Sequence, residues 1–499
     1  MTTVLSTFLV AFLLALFATP IAKKFGVRIG AMDMPDKRKV HTKGIPRSGG
    51  SALFVCFFVT LLVSHFFYTE VSNKFIWGNL KSLSFFCGAI VIFGIGFVDD
   101  FHPLSPKVKL LFQLLGATIA FFGGIRIEGH VLLGETFHYG VWGYFVTVFW
   151  FILFINAVNL IDGLDGLAAG IVFFTSLVMT VLLTIKGDML TAMLFAILGG
   201  TLLGFLRYNF NPATIFMGDG GSYFLGYVVA AISIMGSAKG QTGALILMPL
   251  IGMGVPLFDA LLAPLRRFIL GKGLFQPDKS HIHHQFMRLG FNARKAVLMI
   301  YGISIGLCLL SIVVANIRDE MIGLFLVLLV ISSIIFFRKL KYFEYFTVDK
   351  VYGWIRDVTD VSGIDRKRRS FLNLQMEIEN SMNYDEMWSN ICLALEMIKF
   401  TGASLCMKEQ EGQCDFNWLF NVESENSYDN NGDTTMKIDI PLMNGPSGSL
   451  GKLVLTKDLG QEPLNSYTIR RVEHLRRAVQ SATSRFEKDK NEKLQIGRF

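Results

Sequence analysis

Long apolar stretches are the feature that most limits what this chain can fold into. A helix needs about 20 apolar residues to cross the hydrocarbon of a bilayer, with a usual range of about 17–25. Charged residues make up 17% of the chain and hydrophobic residues 52%, whereas soluble proteins carry about 25% charge. We therefore predict an all-α polytopic membrane protein with about 11 transmembrane helices. The predicted spans are 4–20, 49–68, 82–98, 108–124, 141–158, 167–185, 189–206, 220–238, 242–261, 296–315 and 321–337.

Basic residues orient these spans. The first of them, Lys23 and Lys24, follow the first apolar run, whereas a cleaved signal peptide carries its positive charges before that run. We therefore predict a retained first helix whose N-terminus lies outside the cytoplasm. In that orientation the inner loops hold 21 Lys and Arg residues and the outer loops hold six. Because cytoplasmic loops of membrane proteins carry the excess of Lys and Arg, the tail is predicted to be cytoplasmic.

The chain changes character after its last predicted span. Basic segments follow at 338–341 and 365–369, and such charge is favoured at the inner headgroups. We predict a membrane domain over 1–340, a basic juxtamembrane linker over 341–369 and a soluble cytoplasmic α+β domain over 370–499. Helical spacing over 384–400, four strand-like runs and a long polar helix from about residue 465 indicate that last domain. Six cysteines without a CxxC pair predict neither a zinc site nor a disulfide framework.

Five polar clusters interrupt the apolar part of the chain. All five fall on the side that the basic residues mark as cytoplasmic, although the acids and histidines were not used to draw the topology. They therefore predict a functional surface at the cytoplasmic ends of the spans. The clusters are "MDMPDKRKVHTKGIPRSGG" (32–50), "GFVDDFHPLSPKVK" (96–109), "NAVNLIDGLDGLAAG" (156–170), "NFNPATIFMGDGGS" (209–222) and "PDKSHIHHQF" (277–286).

The acidic side chains in these clusters have ordinary and functional explanations. A single Asp in a loop is more often solvated, or caps the next helix. The adjacent Asp99 and Asp100 are harder to explain in that way, since neighbouring carboxylates repel each other unless a cation compensates. Asn159, Asp162 and Asp165 would line one side of a helix if their segment is helical. The glycines between them would let a backbone or a phosphate approach closely.

Other polar residues leave alternatives open. Asp259, near the end of a span, is either functional or a polar residue that packs helices. Three histidines within four positions could bind a metal, but alone they are a weak signal. The inventory as a whole is rich in carboxylates, the ligands that Mg²⁺ prefers. It also contains basic side chains such as His41, Arg47 and Lys109, which suit phosphates. This combination is typical of phosphoryl transfer, in which the protein mainly positions substrates and offsets charge.

Taken in order, the five motifs resemble those of the polyprenyl-phosphate N-acetylhexosamine-1-phosphate transferases, over roughly residues 1–340. The resemblance implies that a lipid phosphate such as undecaprenyl phosphate attacks the sugar-proximal phosphate of a UDP-N-acetylhexosamine and releases UMP. The "HIHH" form is similar to the UDP-N-acetylglucosamine branch of the superfamily, so GlcNAc-1-phosphate is the expected group. The resemblance also implies a Mg²⁺ requirement, with Mn²⁺ as a substitute.

The resemblance assigns roles by position. Asp219 matches the principal metal ligand, and Asp99 is a second expected ligand. Asp99 and Asp100 match the acidic pair, one member of which deprotonates the lipid phosphate or acts as nucleophile. The remaining expectations are a catalytic role for Asp162, Asp165 and His283, and substrate binding by Lys107, Lys109, Asn159, Asn211, Phe216, His281, His284, His41 and Arg47.

The same resemblance predicts a setting for the protein. It implies a multi-pass protein of the bacterial inner membrane that initiates cell-surface polysaccharide synthesis, such as O-antigen of lipopolysaccharide. The expected partners are the two substrates and the bilayer, with no nucleic acid, and the tail would support a homodimer. The helix–strands–helix order of the tail resembles a small sensory domain of the GAF type. The alternatives are a transporter with intramembrane acids and a membrane signalling protein with a sensory tail. Transporters place such acids near the midplane, and the tail has no catalytic motif.

Overall fold

The fold is described from a computed structural model that divides the chain into two compact units. One unit comprises residues 1–264 and 277–346, and the other comprises 265–276 and 347–499. The described residues are 2–34, 44–66, 79–132, 135–237, 244–269, 281–288, 290–316, 366–407, 416–419, 435–444, 448–460 and 466–496. His41 and the predicted span 321–337 lie outside them.

Helices dominate the first unit. Two short antiparallel strand pairs, β1 (Met32–Asp33) with β2 (Ile45–Pro46) and β3 (Gly129–Leu132) with β4 (Glu135–His138), lie between helices. The helices are α1 (Thr2–Arg28), α2 (Gly49–His65), α3 (Leu80–Phe101), α4 (Pro106–Phe122), α5 (Trp142–Ile161), α6 (Leu167–Ile185), α7 (Met189–Asn209), α8 (Gly218–Ser237), α9 (Ala244–Gly252), α10 (Gly254–Ile269), α11 (Ile282–Arg288) and α12 (Ala293–Asn316).

Six of the described helices are long and apolar enough to cross a membrane: α1, α3, α5, α6, α7 and residues 293–313 of α12. The predicted spans 49–68, 108–124 and 220–238 also fall on helices, namely α2, α4 and α8. The chain is therefore mostly helical in its apolar part, as predicted. The total of eleven spans stays a prediction.

The predicted span 242–261 is not one continuous helix. It is divided between α9, which ends at Gly252, and α10, which begins at Gly254. Pro256 follows the break, and the proline ring clashes with the carbonyl four residues earlier, which here belongs to Gly252. Hydropathy alone does not detect such a break because the residues on both sides of it are apolar.

Helix α1 illustrates how these helices pack. Its buried stripe is made of small residues, including Ala11 and Ala15, whereas Leu13 and Phe17 on its other faces are 51% and 73% exposed. A Cβ built on Gly204 of α7 would lie 2.6 Å from the carbonyl oxygen of Phe12. The two backbones therefore approach closely through small residues, the common solution where lipid already surrounds the large apolar side chains.

The second unit contains an antiparallel sheet with helices. Its elements are α13 (Arg366–Glu379), α14 (Tyr384–Met397), β5 (Gly402–Met407), β6 (Phe416–Leu419), β7 (Thr435–Asn444), β8 (Gly448–Asp458) and α15 (Ser466–Ile496), with strand order β6-β5-β8-β7. Cross-strand pairs such as Leu405 with Leu453 fix the register. The predicted helix, four strands and final polar helix are confirmed, whereas the likeness to a GAF domain stays a prediction.

The core of this unit follows the predicted helical spacing. Met387, Ile391 and Leu395 of α14 are completely buried, and Ile398 is 6% exposed. They pack in one cluster with residues of β5, β8 and α15. One expectation is wrong, because Cys406 on β5 is disulfide-bonded although the spacing of the cysteines indicated no disulfide.

Candidate active site

The turn between α3 and α4 brings an acidic pair beside a lysine. Helix α3 ends at Phe101 because His102 precedes Pro103 and takes an extended conformation, with φ −128° and ψ 105°. Helix α4 begins with Pro106, whose missing N–H costs nothing at the first position of a helix. The tight reversal places Lys109, in the first turn of α4, against Asp99 in the last turn of α3.

Lys109 joins this pair to a third acid from a distant part of the chain. Its ammonium donates to Asp99 Oδ2 and also to Asp219 Oδ2, the latter at 3.2 Å. Asp99 Oδ1 accepts from the backbone N–H of Leu104 at 2.7 Å, and Asp219 Oδ1 accepts from Asn159 Nδ2 at 3.1 Å. Asp99 is only 9% exposed. Side chains from α3, α4, α5 and α8 thus meet at one end of the bundle.

Asp100 turns away from Lys109 and faces the start of α8. Its two oxygens accept from the backbone N–H groups of Asp219 at 2.8 Å and Gly220 at 3.0 Å. Arg47 Nε lies 3.9 Å from Asp100 Oδ1. The first N–H groups of a helix lack partners within it, and a carboxylate there is further stabilised by the helix dipole. Asp100 therefore holds the N-terminus of α8, and with it Asp219, in place.

The glycines around Asp219 allow the helices to come this close. A Cβ built on Gly218 would lie 2.4 Å from Asp100 Oδ2, and Gly218 has φ +70°, which side chains rarely adopt. A Cβ on Gly96 of α3 would lie 2.6 Å from the carbonyl oxygen of Asp219, and one on Gly50 of α2 would lie 2.4 Å from the nitrogen of Gly221. The glycines of the fourth polar cluster thus serve close backbone approach.

Asp162 directly follows α5 and has no side-chain hydrogen bond in the described part of the chain. Burial raises its pKa well above the ordinary value, and the charges of Asp219 and Asp100 raise it further, while Arg47 acts against them. The pKa of Arg47 is itself raised because the surrounding carboxylates outweigh the effect of burial. A cation at this place would relieve the repulsion among the acids.

Asp165 belongs to a different group. Its Oδ2 accepts from Asn211 Nδ2 at 3.0 Å and from the backbone N–H of Ala213 at 2.9 Å. Helix α5 ends at Ile161, and Gly166, with φ +77°, begins the turn into α6. The segment that holds Asn159, Asp162 and Asp165 is therefore not one continuous helix, so these three side chains do not share one helical face. Asn159 contacts Asp219, whereas Asp165 holds the turn before α8.

The remaining predicted residues have varied surroundings. Phe216 pairs through its backbone, because its N–H donates to the carbonyl of Pro46 at 2.8 Å and its carbonyl accepts from Gly49 at 2.9 Å. Lys107 is exposed, with no side-chain hydrogen bond or ion pair among the described residues. His281 is buried against Asp259. His283 and His284 lie on the backbone of α11, but their side chains are outside the described part.

Two participants were not predicted as site residues. Ser222 Oγ is 3.0 Å from Asn159 Nδ2, and Asp33 lies 4.0 Å from Arg47 Nε. Both stand inside the polar clusters, in "GDGGS" and "MDMPD". A short polar side chain three positions after Asp219 was the available signal for Ser222, since such residues share a helix face. Asp33 could be recognised only by its proximity to Arg47.

The donors suit a hard divalent cation. No group of three acidic, histidine or cysteine side chains within the described residues is placed to enclose a metal. Mg²⁺, however, is usually held by one or two carboxylates, with waters and substrate phosphates completing the octahedron. Asp99 and Asp219, which both accept from the ammonium of Lys109, are the two carboxylates that would hold such a cation.

Comparisons with known proteins identify similar transferases. Residues 82–237 match the model of glycosyl transferase family 4. A probable undecaprenyl-phosphate N-acetylglucosaminyl 1-phosphate transferase of Bacillus subtilis (strain 168) is 41% identical over 296 residues, which cover 59% of this chain and 80% of that protein.

Two further relatives come from other bacteria. A decaprenyl-phosphate N-acetylglucosaminephosphotransferase of Mycobacterium leprae is 31% identical over 321 residues, covering 59% of this chain and 79% of the relative. An undecaprenyl-phosphate alpha-N-acetylglucosaminyl 1-phosphate transferase of Escherichia coli O157:H7 is 30% identical over 310 residues, covering 60% and 79%. With the apolar helices described above, these matches show that the chain is a multi-pass membrane transferase that belongs to glycosyl transferase family 4.

Proposed function

We propose that the protein transfers an N-acetylhexosamine 1-phosphate, specifically GlcNAc-1-phosphate, from its UDP-sugar to undecaprenyl phosphate. The names of the relatives support this substrate pair. The observation that carries the proposal is the convergence of Asp99 and Asp219 on Lys109, with Asp100 and Arg47 beside them. Such a mixture of acids and cations at the end of a helical bundle suits two phosphate-bearing substrates.

In the proposed reaction, an oxygen of the lipid phosphate attacks the phosphorus that carries the sugar. The bond from that phosphorus to the bridging oxygen of UMP breaks, and UMP leaves with that oxygen. The products are UMP and a polyprenyl pyrophosphate that bears the sugar. Charge is thus redistributed among phosphate oxygens, so catalysis rests on positioning and on compensating negative charge.

Asp219 and Asp99 are the proposed ligands of Mg²⁺, which when bound would neutralise charge on the pyrophosphate. Lys109 and Arg47 contribute further positive charge beside them. Because Lys109 contacts both carboxylates, its charge partly offsets the repulsion between them. Asp100, whose two oxygens both accept backbone N–H groups, is proposed as a positioning residue rather than as a nucleophile.

Asp162 is proposed to accept the proton of the lipid phosphate. Both oxygens of Asp99 and of Asp100 have donors, whereas Asp162 has no side-chain hydrogen bond in the described ranges. Burial also raises its pKa, so Asp162 holds a proton more firmly than an ordinary carboxylate does. Asp165, by contrast, is proposed to position the segment around Asn211, which is expected to meet the nucleotide.

The acceptor lipid explains why such a site would lie in a bundle of apolar helices. A polyprenyl chain stays in the bilayer, whereas a UDP-sugar comes from the cytoplasm, so both can meet only where helices end. We propose accordingly that the site faces the cytoplasm at the bacterial inner membrane and that the product initiates a cell-surface polysaccharide such as O-antigen. Neither the transporter nor the signalling alternative is favoured by the relatives.

The proposal is tested with membranes that contain this protein, labelled UDP-GlcNAc, undecaprenyl phosphate and Mg²⁺. Release of UMP together with transfer of label into the lipid phase is expected, and chelation of Mg²⁺ should stop both. UDP-GalNAc in place of UDP-GlcNAc tests the choice of sugar. Label that crosses the membrane unreacted would instead identify a transporter and overturn the proposal.

A further inference from the structure

A buried acid lies outside the carboxylate network around Lys109. Asp259 on α10 is completely buried, with 0% exposure. Its Oδ2 lies 3.1 Å from Nδ1 of His281 and accepts from the backbone N–H of Ile282 at 3.2 Å. His281 is 6% exposed and Ile282 3%. Twenty-two residues separate Asp259 and His281 in sequence, so this contact is a tertiary one.

The contact fixes the start of the histidine segment. A carboxylate can only accept, so the proton of the His281 ring lies on Nδ1 and the ring keeps one orientation. The carboxylate also satisfies the N–H of Ile282, the first residue of α11. An acid buried among apolar helices is costly unless its oxygens have donors, so the pair is strongly favoured over an open state.

The other end of the segment is held by apolar packing. Phe286 of α11 is 2% exposed, and its ring lies 6.1 Å from that of Phe291. The backbone of α11 that carries His283 and His284 is therefore fixed at both ends, by Asp259 before it and by Phe286 within it. Apolar packing keeps the segment against its neighbours but allows it to rotate and slide along them. The two hydrogen bonds to Asp259 fix its register.

We propose that Asp259 is a positioning residue for the transfer reaction. It holds His281 and the first turn of α11 in place, and thereby determines the position of the backbone at His283. His281 is then an anchor of the segment and not a ligand of the substrate. The inference rests on the proposed function for its catalytic consequence, but the lock itself is a property of the fold.

The test uses the full-length protein in nanodiscs and the variants Asp259→Asn, His281→Gln and the combination of both. Asp259→Asn keeps the shape of the side chain but replaces the charged acceptor of both donors with a neutral amide, which binds them more weakly. Asp188→Asn and His138→Gln are matched controls, because Asp188 caps the N-terminus of α7 and His138 is exposed on the hairpin β3–β4.

Three readouts are combined. Asp259→Asn is expected to lower kcat by about 100-fold per folded protein, since small displacements of a catalytic group have effects of that size, with little change in KM. The double variant should be within about twofold of the slower single variant, because both changes break one contact. Amide exchange over 282–288 should rise at least about tenfold in each variant and remain unchanged elsewhere.

The outcomes distinguish this inference from the proposed function. A kcat for Asp259→Asn within about threefold of the unmodified chain, or effects of the two substitutions that multiply, would overturn the positioning role. Loss of folded protein with normal kcat in the remainder would show a purely structural role and also overturn it. If the unmodified chain transfers no sugar phosphate, the proposed function fails. Unchanged amide exchange over 282–288 would then overturn the lock independently.

Discussion

The two units of this protein bury charge in opposite ways. The first unit collects carboxylates, because Asp99, Asp100 and Asp219 lie within reach of one another and of a few cations. The second unit buries single cations against carbonyls and aromatic rings: Lys457 is 1% exposed and donates to the carbonyls of Ile398 and Lys399 at 3.1 and 3.0 Å.

The two kinds of buried charge are expected to have different roles, one in folding and the other in chemistry. Lys457 satisfies carbonyls at the end of α14, where the helix dipole favours a positive charge. Arg471 similarly lies over the ring of Phe371 at 4.6 Å. Each such cation completes a local structure. Gathering like charges, in contrast, lowers stability and is typical of sites that bind a cation or handle protons. We therefore expect the reaction to take place in the first unit, and the following predictions test that expectation.

The largest expected effect is that of Asp219→Asn. We expect transfer to fall by at least about 1000-fold, because the variant removes the negative charge shared by Lys109 and the proposed metal. The fold should be retained, since Asn keeps an oxygen for the contact with Asn159. The measurement is UMP release at saturating Mg²⁺, with Asp188→Asn as control. Near-normal turnover would show that Asp219 is not a metal ligand.

Gly218→Ala is expected to have the next largest effect. The added Cβ would lie 2.4 Å from Asp100 Oδ2 and 2.5 Å from the carbonyl of Arg47, so Asp100 would have to move. We expect about a 100-fold loss of kcat, typical of small displacements at an active site. Gly187→Ala is the matched control, because Gly187 has φ +82° with nothing within 4 Å. Equal losses in both variants would assign the effect to backbone strain and not to the carboxylate.

The third prediction concerns pH and the binding of a divalent cation. Burial raises the pKa of Asp100 to about 7 and raises that of Asp162 as well, so protons compete with the cation at this site as the pH falls. The affinity for Mn²⁺, followed by electron paramagnetic resonance, should therefore increase as the pH rises from about 6 to about 8. Asp162→Asn should reduce this dependence without abolishing it, because Asp100 still titrates. An affinity that is independent of pH, or a slope that the substitution leaves unchanged, would contradict the role of Asp162.

Deletion of the tail from about residue 365 is expected to change little. All five polar clusters precede that point, and the second unit has its own core of apolar residues. We expect specific activity per folded protein to stay within about threefold, which corresponds to less than 1 kcal/mol of barrier. A loss of more than about tenfold, with the first unit folded and metal still bound, would show that the tail contributes to the active site.

The smallest effect is expected for Glu473→Gln on α15. Hydrogen bonds from Arg476, and then from Arg477, lower the pKa of Glu473 to about 2. Because the pKa is lowered, the contribution of Glu473 to the free energy of unfolding is present above the ordinary pKa of about 4.5 and is lost as the pH falls towards 2. Because the side chain of Glu473 is 43% exposed, we expect the substitution to lower the free energy of unfolding, measured in urea, by only about 0.3–0.5 kcal/mol near pH 6 and by less near pH 3. A larger effect at the lower pH would contradict this sign.

Much of the fold follows from local pattern. The length of the apolar runs predicted helices α1 to α8 and α12, because a span requires enough apolar residues regardless of its neighbours. Alternation and helical spacing likewise predicted α14, the strands of the sheet and α15. The broken span at Gly252 and Gly254 was missed because hydropathy does not register the steric effect of Pro256.

The residues that are available for chemistry could be recognised before the fold was known. Apolar runs, basic loops and five polar clusters were sufficient to predict a membrane protein that acts on phosphates, because composition and period act locally. Only the tertiary structure decided how the acids divide: Asp99 and Asp219 join at Lys109, Asp100 holds α8, Asp165 holds the turn at Asn211, and Asp259 holds His281. The reason is physical. A carboxylate binds whatever donor the packing of distant helices brings within about 3 Å, and that distance is not encoded in the spacing of residues along the chain.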